Sequence, residues 1–398
     1  MRAALLTKEY PPEVYGGAGV HVEHLAAELA GLIDVEVHAF GAPRDSDLVA
    51  GTYQPWDALD GNAAHVAALR TVSVDLLMAA AVEGVDLVHS HTWYANLAGH
   101  LGKLLYEVPH VLTTHSLEPL RPWKREQLGG GYAVSSFCER TGIEHADAII
   151  AVSEGMRGDI LLAYPAVDPD RTRVVHNGVD PQRYAPDAGT DVLAAHGVDP
   201  DRPYAIFVGR ITRQKGLTHL LAAAAQVDAD VQLVLCAGAP DTDRLARQVR
   251  EQVEDLRGGG REVAWIEQML PRSQVIQLLT HATVLVCPSI YEPFGIVNLE
   301  AMACATAVVA SDVGGIPEIV VDGVTGHLVS FEPDAADPMG APADPECFAR
   351  ELASRINALV ADPARAAAYG VAGRQRVLER FSWAAVAQRT VEVYRSVL

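Results

Sequence analysis

The sequence has little cysteine, no basic excess and no long apolar run, and each lack removes a class of function. Its five cysteines, Cys138, Cys236, Cys287, Cys304 and Cys347, are odd in number and show no C-x-x-C spacing. That excludes a disulfide framework or a cysteine zinc site as the organising device, and the cysteines in apolar runs read as small hydrophobes. The formal net charge is −20, which argues against nucleic acid or an anionic membrane as partner, since both require clustered basic residues. No apolar run reaches the roughly 18 residues of a membrane span. The first apolar run, after Met1-Arg2, gives way at once to Lys8, Glu9 and two prolines, too soon for a signal-peptide core. A cytoplasmic protein is the expectation.

What is present is a hydrophobic fraction of 49% over 398 residues, enough for two domains with full cores. Ala3 to Thr7 reads as a buried strand, Lys8 to Gly17 as a loop with two prolines and two glycines, and Val20 to Leu29 as an amphipathic helix. This opens a nucleotide-type βα unit. Yet Gly16 to Gly19 reads GGAG, not G-x-G-x-x-G, and no acid ends the next strand, Val35 to Phe40, which disfavours a dinucleotide dehydrogenase.

Further strands are expected at Val85 to His89, His110 to Thr114, Ala148 to Val152 and Arg173 to His176. A second series follows at Tyr204 to Val208, Val231 to Cys236, Glu262 to Ile266, Thr283 to Cys287 and Ala307 to Ala310. The cadence is that of α/β domains with parallel sheets. A first domain is expected over residues 1–178 together with a returning helix at 382–398, a Gly/Asp/Pro-rich linker at 179–203, and a second domain over 204–381. Asp334 to Pro345 reads as a loop, with helices after it.

The most informative stretch is Pro288 to Gly326. A loop after the strand ending at Cys287 carries Glu292, and Phe294, Gly295, Ile296 and Val297 open a helix whose first amides lack intrahelical partners. Such a helix start favours an anion. Glu300 lies farther along the helix, where a carboxylate can accept two hydrogen bonds from a diol. Glu292-Pro-Phe-Gly-Ile-Val-Asn-Leu-Glu300 resembles the E-x-F-G-x-x-x-x-E motif of retaining glycosyltransferases with two Rossmann-like domains, the GT-B architecture of glycosyltransferase family 4. In that family the first glutamate contacts the donor sugar and the second the nucleotide ribose, which implies those roles for Glu292 and Glu300.

Gly209-Arg-Ile-Thr-Arg-Gln-Lys-Gly216 resembles the family's G-R-x-x-x-x-K-G signature, implying that Arg210 and Lys215 flank the donor diphosphate. Gly16 and Gly17 would approach the donor from the first domain, and His115 would line the sugar pocket. The stretches Thr7 to Gly19 and His115 to Lys124 are similar to the short actinobacterial glycogen synthase type, a group that includes α-maltose-1-phosphate synthases. The resemblance implies ADP-glucose as donor, with glucose 1-phosphate or an α-1,4-glucan as acceptor. Two domains face across a cleft in that fold, and the last helix crosses back to the first. For a sugar-phosphate acceptor the nearest basic pair is Arg121 and Lys124.

His89 and His91 share a strand face, but no third metal ligand stands at a recognisable spacing. D-x-D occurs at Asp45/Asp47, Asp168/Asp170, Asp199/Asp201 and Asp241/Asp243, too often in an acid-rich chain to mark a manganese site. No essential metal or cofactor is expected. A same-fold epimerase and a non-catalytic nucleotide-sugar binder are the alternatives, and oligomeric state stays open, a homodimer included.

Overall fold

A computed structural model describes residues 1–14, 16–61, 63–337 and 339–398; the side chains of Ala64 and Gln127 are not described. Tyr15, in the first glycine loop, and Pro338, in the Asp334 to Pro345 loop, therefore lie outside the described residues. The chain forms two compact units, Met1–Gly178 with Trp383–Leu398, and Val179–Ser382.

The first unit holds β1 (Arg2–Thr7), β2 (Asp34–Phe40), β3 (Val49–Tyr53), β4 (Leu87–His91), β5 (His110–Thr114), β6 (Ala148–Ala151) and β7 (Thr172–Val174). Among the described residues these form one parallel sheet in the order β3-β2-β1-β4-β5-β6-β7. The second unit holds β8 (Tyr204–Arg210), β9 (Gln232–Gly238), β10 (Val263–Ile266), β11 (Val284–Cys287), β12 (Ala307–Ser311) and β13 (Gly326–Val329), in the order β10-β9-β8-β11-β12-β13. Both orders reverse direction next to their first strand, the arrangement of a Rossmann-like sheet, and ligands gather beyond the strand carboxyl ends at such a switch point.

The strands read as unbroken apolar runs because helices cover both sheet faces. β5, β6, β11 and β12 are buried throughout. The strands β3 and β13, absent from the sequence reading, are both edge strands. Half-exposed Val-Ala-Gly-Thr-Tyr and the four-residue Gly-His-Leu-Val give little apolar signal.

Helix starts follow local chemistry. Thr242, Ser153, Asp344 and Asp362 each accept a hydrogen bond from an amide of the first turn, and Pro345 and Pro363 occupy the first helical position of the last two of these helices. The final helix, Trp383–Val397, buries Trp383, Val386, Val391 and Tyr394 in the first unit's core with Leu5, Val22 and Leu25. No helix is long and apolar enough to cross a membrane among the described residues.

Residues 179–203, the expected linker, group with the second unit by their contacts. The Val192 amide donates to Gln277 Oε1 at 2.7 Å, the Asp187 amide to Thr280 Oγ1 at 3.1 Å, and Arg374 to the Tyr184 carbonyl at 3.1 Å. Side chain to backbone bonds hold this Asp- and Gly-rich stretch against the core, so its composition reflects turn chemistry.

Candidate functional site

In the second unit, the segment after β8 and the segment after β11 are built against each other. The Ile290 amide donates to the Gln214 carbonyl at 2.9 Å. Gly216 has φ +64°, and a Cβ there would lie 1.9 Å from the Pro288 carbonyl oxygen, so only glycine permits the approach. Gly314, at φ +54°, is pressed likewise against the Glu292 carbonyl, which accepts a 2.9 Å bond from the Gly315 amide. The backbone of Glu292 is thus fixed by the loop that follows β12.

This packing brings together residues 77 positions apart: Lys215 Nζ donates to Glu292 Oε2 at 2.7 Å. Ser289 Oγ donates to the same oxygen at 2.9 Å. Burial draws the Lys215 ammonium down, but Glu292 and then Cys287 outweigh it, and its pKa stands above the ordinary value. Lys215 is therefore a fixed positive charge at neutral pH. Arg210, the last residue of β8, lies 3.4 Å from Asp241 Oδ1.

Gly295, Ile296 and Val297 form the start of the helix Ile296–Ala303 as the spacing predicts, while the Phe294 ring is buried 6.1 Å from Phe381. Any contribution of Phe294 to a ligand must come from its backbone. Glu300 Oε1 accepts a 2.6 Å hydrogen bond from Tyr184. Burial raises the Glu300 pKa, partly offset by that bond and by Arg272. The sequence marks neither Tyr184 nor Gly314, because nothing in their local pattern points to Glu300 or Glu292, 116 and 22 residues away.

In the first unit, Gly16 precedes and Gly17 begins the helix Gly17–Leu29. The Gly16 amide donates to Glu9 Oε2 at 2.7 Å, so a carboxylate already sits at this helix start. Lys124 begins the short helix Lys124–Leu128, and Arg121 lies three residues before it. Arg121 is ion-paired to fully buried Glu118, whose other oxygen accepts from Ser135 at 2.7 Å. Part of the Arg121 charge is thus answered from within the first unit.

The D-x-D copies resolve into ordinary roles at three places. Asp168 and Asp199 accept from the amides of Asp170 and Asp201, the geometry of turns, and Asp241 faces Arg210.

His115 follows β5 and meets two other imidazoles that the sequence does not connect with it. His91 Nδ1 lies 3.2 Å from its Nε2, and the His21 ring centroid lies 4.8 Å from its own. Burial lowers the pKa of His21 to about 4 and of His110 to about 3, and also lowers His89, His91 and His115.

These shifts carry a sign. Each imidazole is neutral when folded and titrates near its usual value of about 6.5 when unfolded, so stability is lost as pH falls through that window. Burial pushes Glu139 up to about 8, Asp159 up to about 6, and Asp75 upward too. Those carboxyls bind protons in the folded state and oppose the loss. The lowered imidazoles outnumber the raised carboxyls, so unfolding just below pH 6.5 should take up protons and stability should fall with pH there. Proton uptake on unfolding in weak buffer measures it directly, and no uptake would contradict the neutral imidazoles. Burial also raises the thiols of Cys138, Cys236 and Cys304 to about 12, which keeps them chemically inert.

Residues 15–183 match the family described as Glycosyltransferase Family 4, and residues 191–338 match Glycosyl transferases group 1. A protein of Mycolicibacterium smegmatis named alpha-maltose-1-phosphate synthase is 58% identical over the whole of both chains. One of the same name from Mycobacterium tuberculosis is 56% identical, again over the whole of both. Among solved structures, sucrose-phosphate synthase from Thermosynechococcus elongatus superposes with a TM-score of 0.76 at 27% identity, covering 99% of this chain and 98% of its own. Two Rossmann-like units, the paired motif loops and full-length similarity lead to one conclusion: the chain belongs to the GT-B glycosyltransferase family of the alpha-maltose-1-phosphate synthases, and is a glycosyltransferase.

Proposed function

We propose that the protein is a retaining α-1,4-glucosyltransferase that uses ADP-glucose and passes glucose to glucose 1-phosphate, giving maltose 1-phosphate, or to an α-1,4-glucan. The observation that carries this reading is the fixed Lys215–Glu292 pair at 2.7 Å. It places a permanent cation beside a buried carboxylate at the carboxyl ends of two adjacent strands, β8 and β11. The full-length similarity to proteins named alpha-maltose-1-phosphate synthase supports the acceptor.

In this reading Lys215 and Arg210 balance the charge that grows on the departing diphosphate, a term of several kcal/mol in a site poor in water. Glu292 holds the glucose hydroxyls, and Glu300, oriented by Tyr184, holds the ribose. The amides from Phe294 to Val297 receive a phosphate oxygen. From the first unit, Gly16 and Gly17 approach the donor and His115 supports the positive charge that develops on the sugar. The incoming hydroxyl attacks on the face that the diphosphate leaves, and the diphosphate takes its proton, so no separate base is required. Arg121 and Lys124 receive the acceptor phosphate. No metal is needed, and the protein works in the cytoplasm.

Incubation with ADP-glucose, with and without glucose 1-phosphate or glycogen and in the presence of EDTA, tests this. Maltose 1-phosphate of α configuration and unchanged turnover in EDTA are expected. Donor consumption without acceptor would point to an epimerase, no consumption to a binding protein, and loss of turnover with EDTA to a required metal.

A further inference from the structure

Three imidazoles from distant parts of the first unit converge beside β4 and β5. His21 comes from the helix Gly17–Leu29, His91 ends β4 and His115 follows β5. One ring nitrogen of each lies within 4.8 Å of the other two. His21 and His91 are buried, and the Nε2 of each has no hydrogen-bond partner. A buried polar atom left so costs about 1–3 kcal/mol.

The surroundings prepare these rings as ligands. His21 Nδ1 donates to Asn177 Oδ1 at 2.7 Å, which puts the proton on Nδ1 and the lone pair on Nε2. Metal-bound histidines are oriented by this kind of bond. His89 lies against His91 with centroids 4.2 Å apart. Its own nitrogens are engaged by the Tyr394 hydroxyl at 2.6 Å and Thr113 Oγ1 at 2.7 Å, so it backs the group without joining it.

We propose that His21, His91 and His115 form a binding site for a divalent d-block cation of the zinc class, and that filling it stops glycosyl transfer. Imidazoles without a carboxylate select such ions over magnesium or calcium. Zinc–nitrogen bonds of about 2.0–2.1 Å in a tetrahedron set the nitrogens roughly 3.3–3.4 Å apart. His91 Nδ1 and His115 Nε2, hydrogen-bonded to each other at 3.2 Å, already have nearly that separation; the ion takes the place of the shared proton, which moves to the donor ring's other nitrogen, and His21 must close in.

The inhibitory half rests on the role proposed for His115. A cation bound there takes the ring's lone pair and adds two positive charges where the sugar itself turns positive, which opposes the transition state. The ion is an inhibitor here, so turnover in EDTA stays unimpaired.

Cobalt(II), whose visible absorption reports nitrogen coordination, is the probe for the EDTA-treated full chain, with bound zinc counted by elemental analysis after gel filtration. One ion per chain is expected. Binding should weaken at least about tenfold in His21→Gln and His91→Gln, and similarly in Asn177→Ala, which keeps all three rings and guards against variants that fail to fold. Absence of a retained ion, or equal binding by parent and all three variants through surface histidines, overturns the site. Zinc at micromolar concentration should abolish turnover and EDTA restore it. One bound ion with turnover unchanged leaves the site standing and overturns both the inhibition and the placement of His115 beside the sugar.

Discussion

Replacing Lys215 by alanine should lower kcat by about two to three orders of magnitude, the loss typical of removing one preorganised stabilising group from a developing anion. The substitution removes the proposed diphosphate cation and also leaves the Glu292 carboxylate, 7% exposed, with Ser289 in place of its ion-pair partner. Leaving a buried charge uncompensated costs stability as well as rate. The two effects are separable, since Glu292→Gln in the alanine background removes the stranded charge and should recover stability without recovering turnover. Arg210→Ala should fall in the same direction with less structural cost, because Arg210 is partly exposed and its 3.4 Å contact with Asp241 is long. Steady-state kinetics on the parent and these variants decides the matter. Near-parental kcat in both Lys215→Ala and Arg210→Ala would remove the pair from the mechanism.

Gly216→Ala should be the most damaging single methyl addition in the second unit, destabilising it by about 2–4 kcal/mol and lowering activity at least tenfold. Two terms combine. A non-glycine residue at φ +64° costs about 1–2 kcal/mol. The added Cβ would also fall 1.9 Å from the Pro288 carbonyl, so the segment that carries Ser289, Ile290 and Glu292 must move. Gly197→Ala isolates the first term, because Gly197 has nearly the same dihedral, φ +68°, with nothing within 4 Å of the new methyl. Thermal unfolding and activity of the two variants should therefore differ widely. Equal behaviour would mean that the contact between the two motif segments does not position the site.

The same contact joins segments that are remote in the chain. The sequence by itself determined the α/β class, since apolar runs of four to six residues alternate with amphipathic helices. It also marked the two motif segments, because G-R-x-x-x-x-K-G and E-x-F-G-x-x-x-x-E keep their residues within one loop and one helix start. Local spacing is enough for that, as neighbours in sequence are neighbours in space.

The pairings were decided only by the tertiary structure. Lys215 with Glu292, Tyr184 with Glu300, and His21 with His91 and His115 join positions separated by 24 to 116 residues. The parallel order of the strands places the ends of β8 and β11, and of β4 and β5, side by side, and no periodicity in the chain encodes that adjacency. Segment 179–203 shows the same dependence: its glycines and aspartates satisfy turns, while the residues that anchor it, Gln277, Thr280 and Arg374, come from helices far along the chain. Sequence supplies the chemical groups and their local geometry; strand order decides which of them meet.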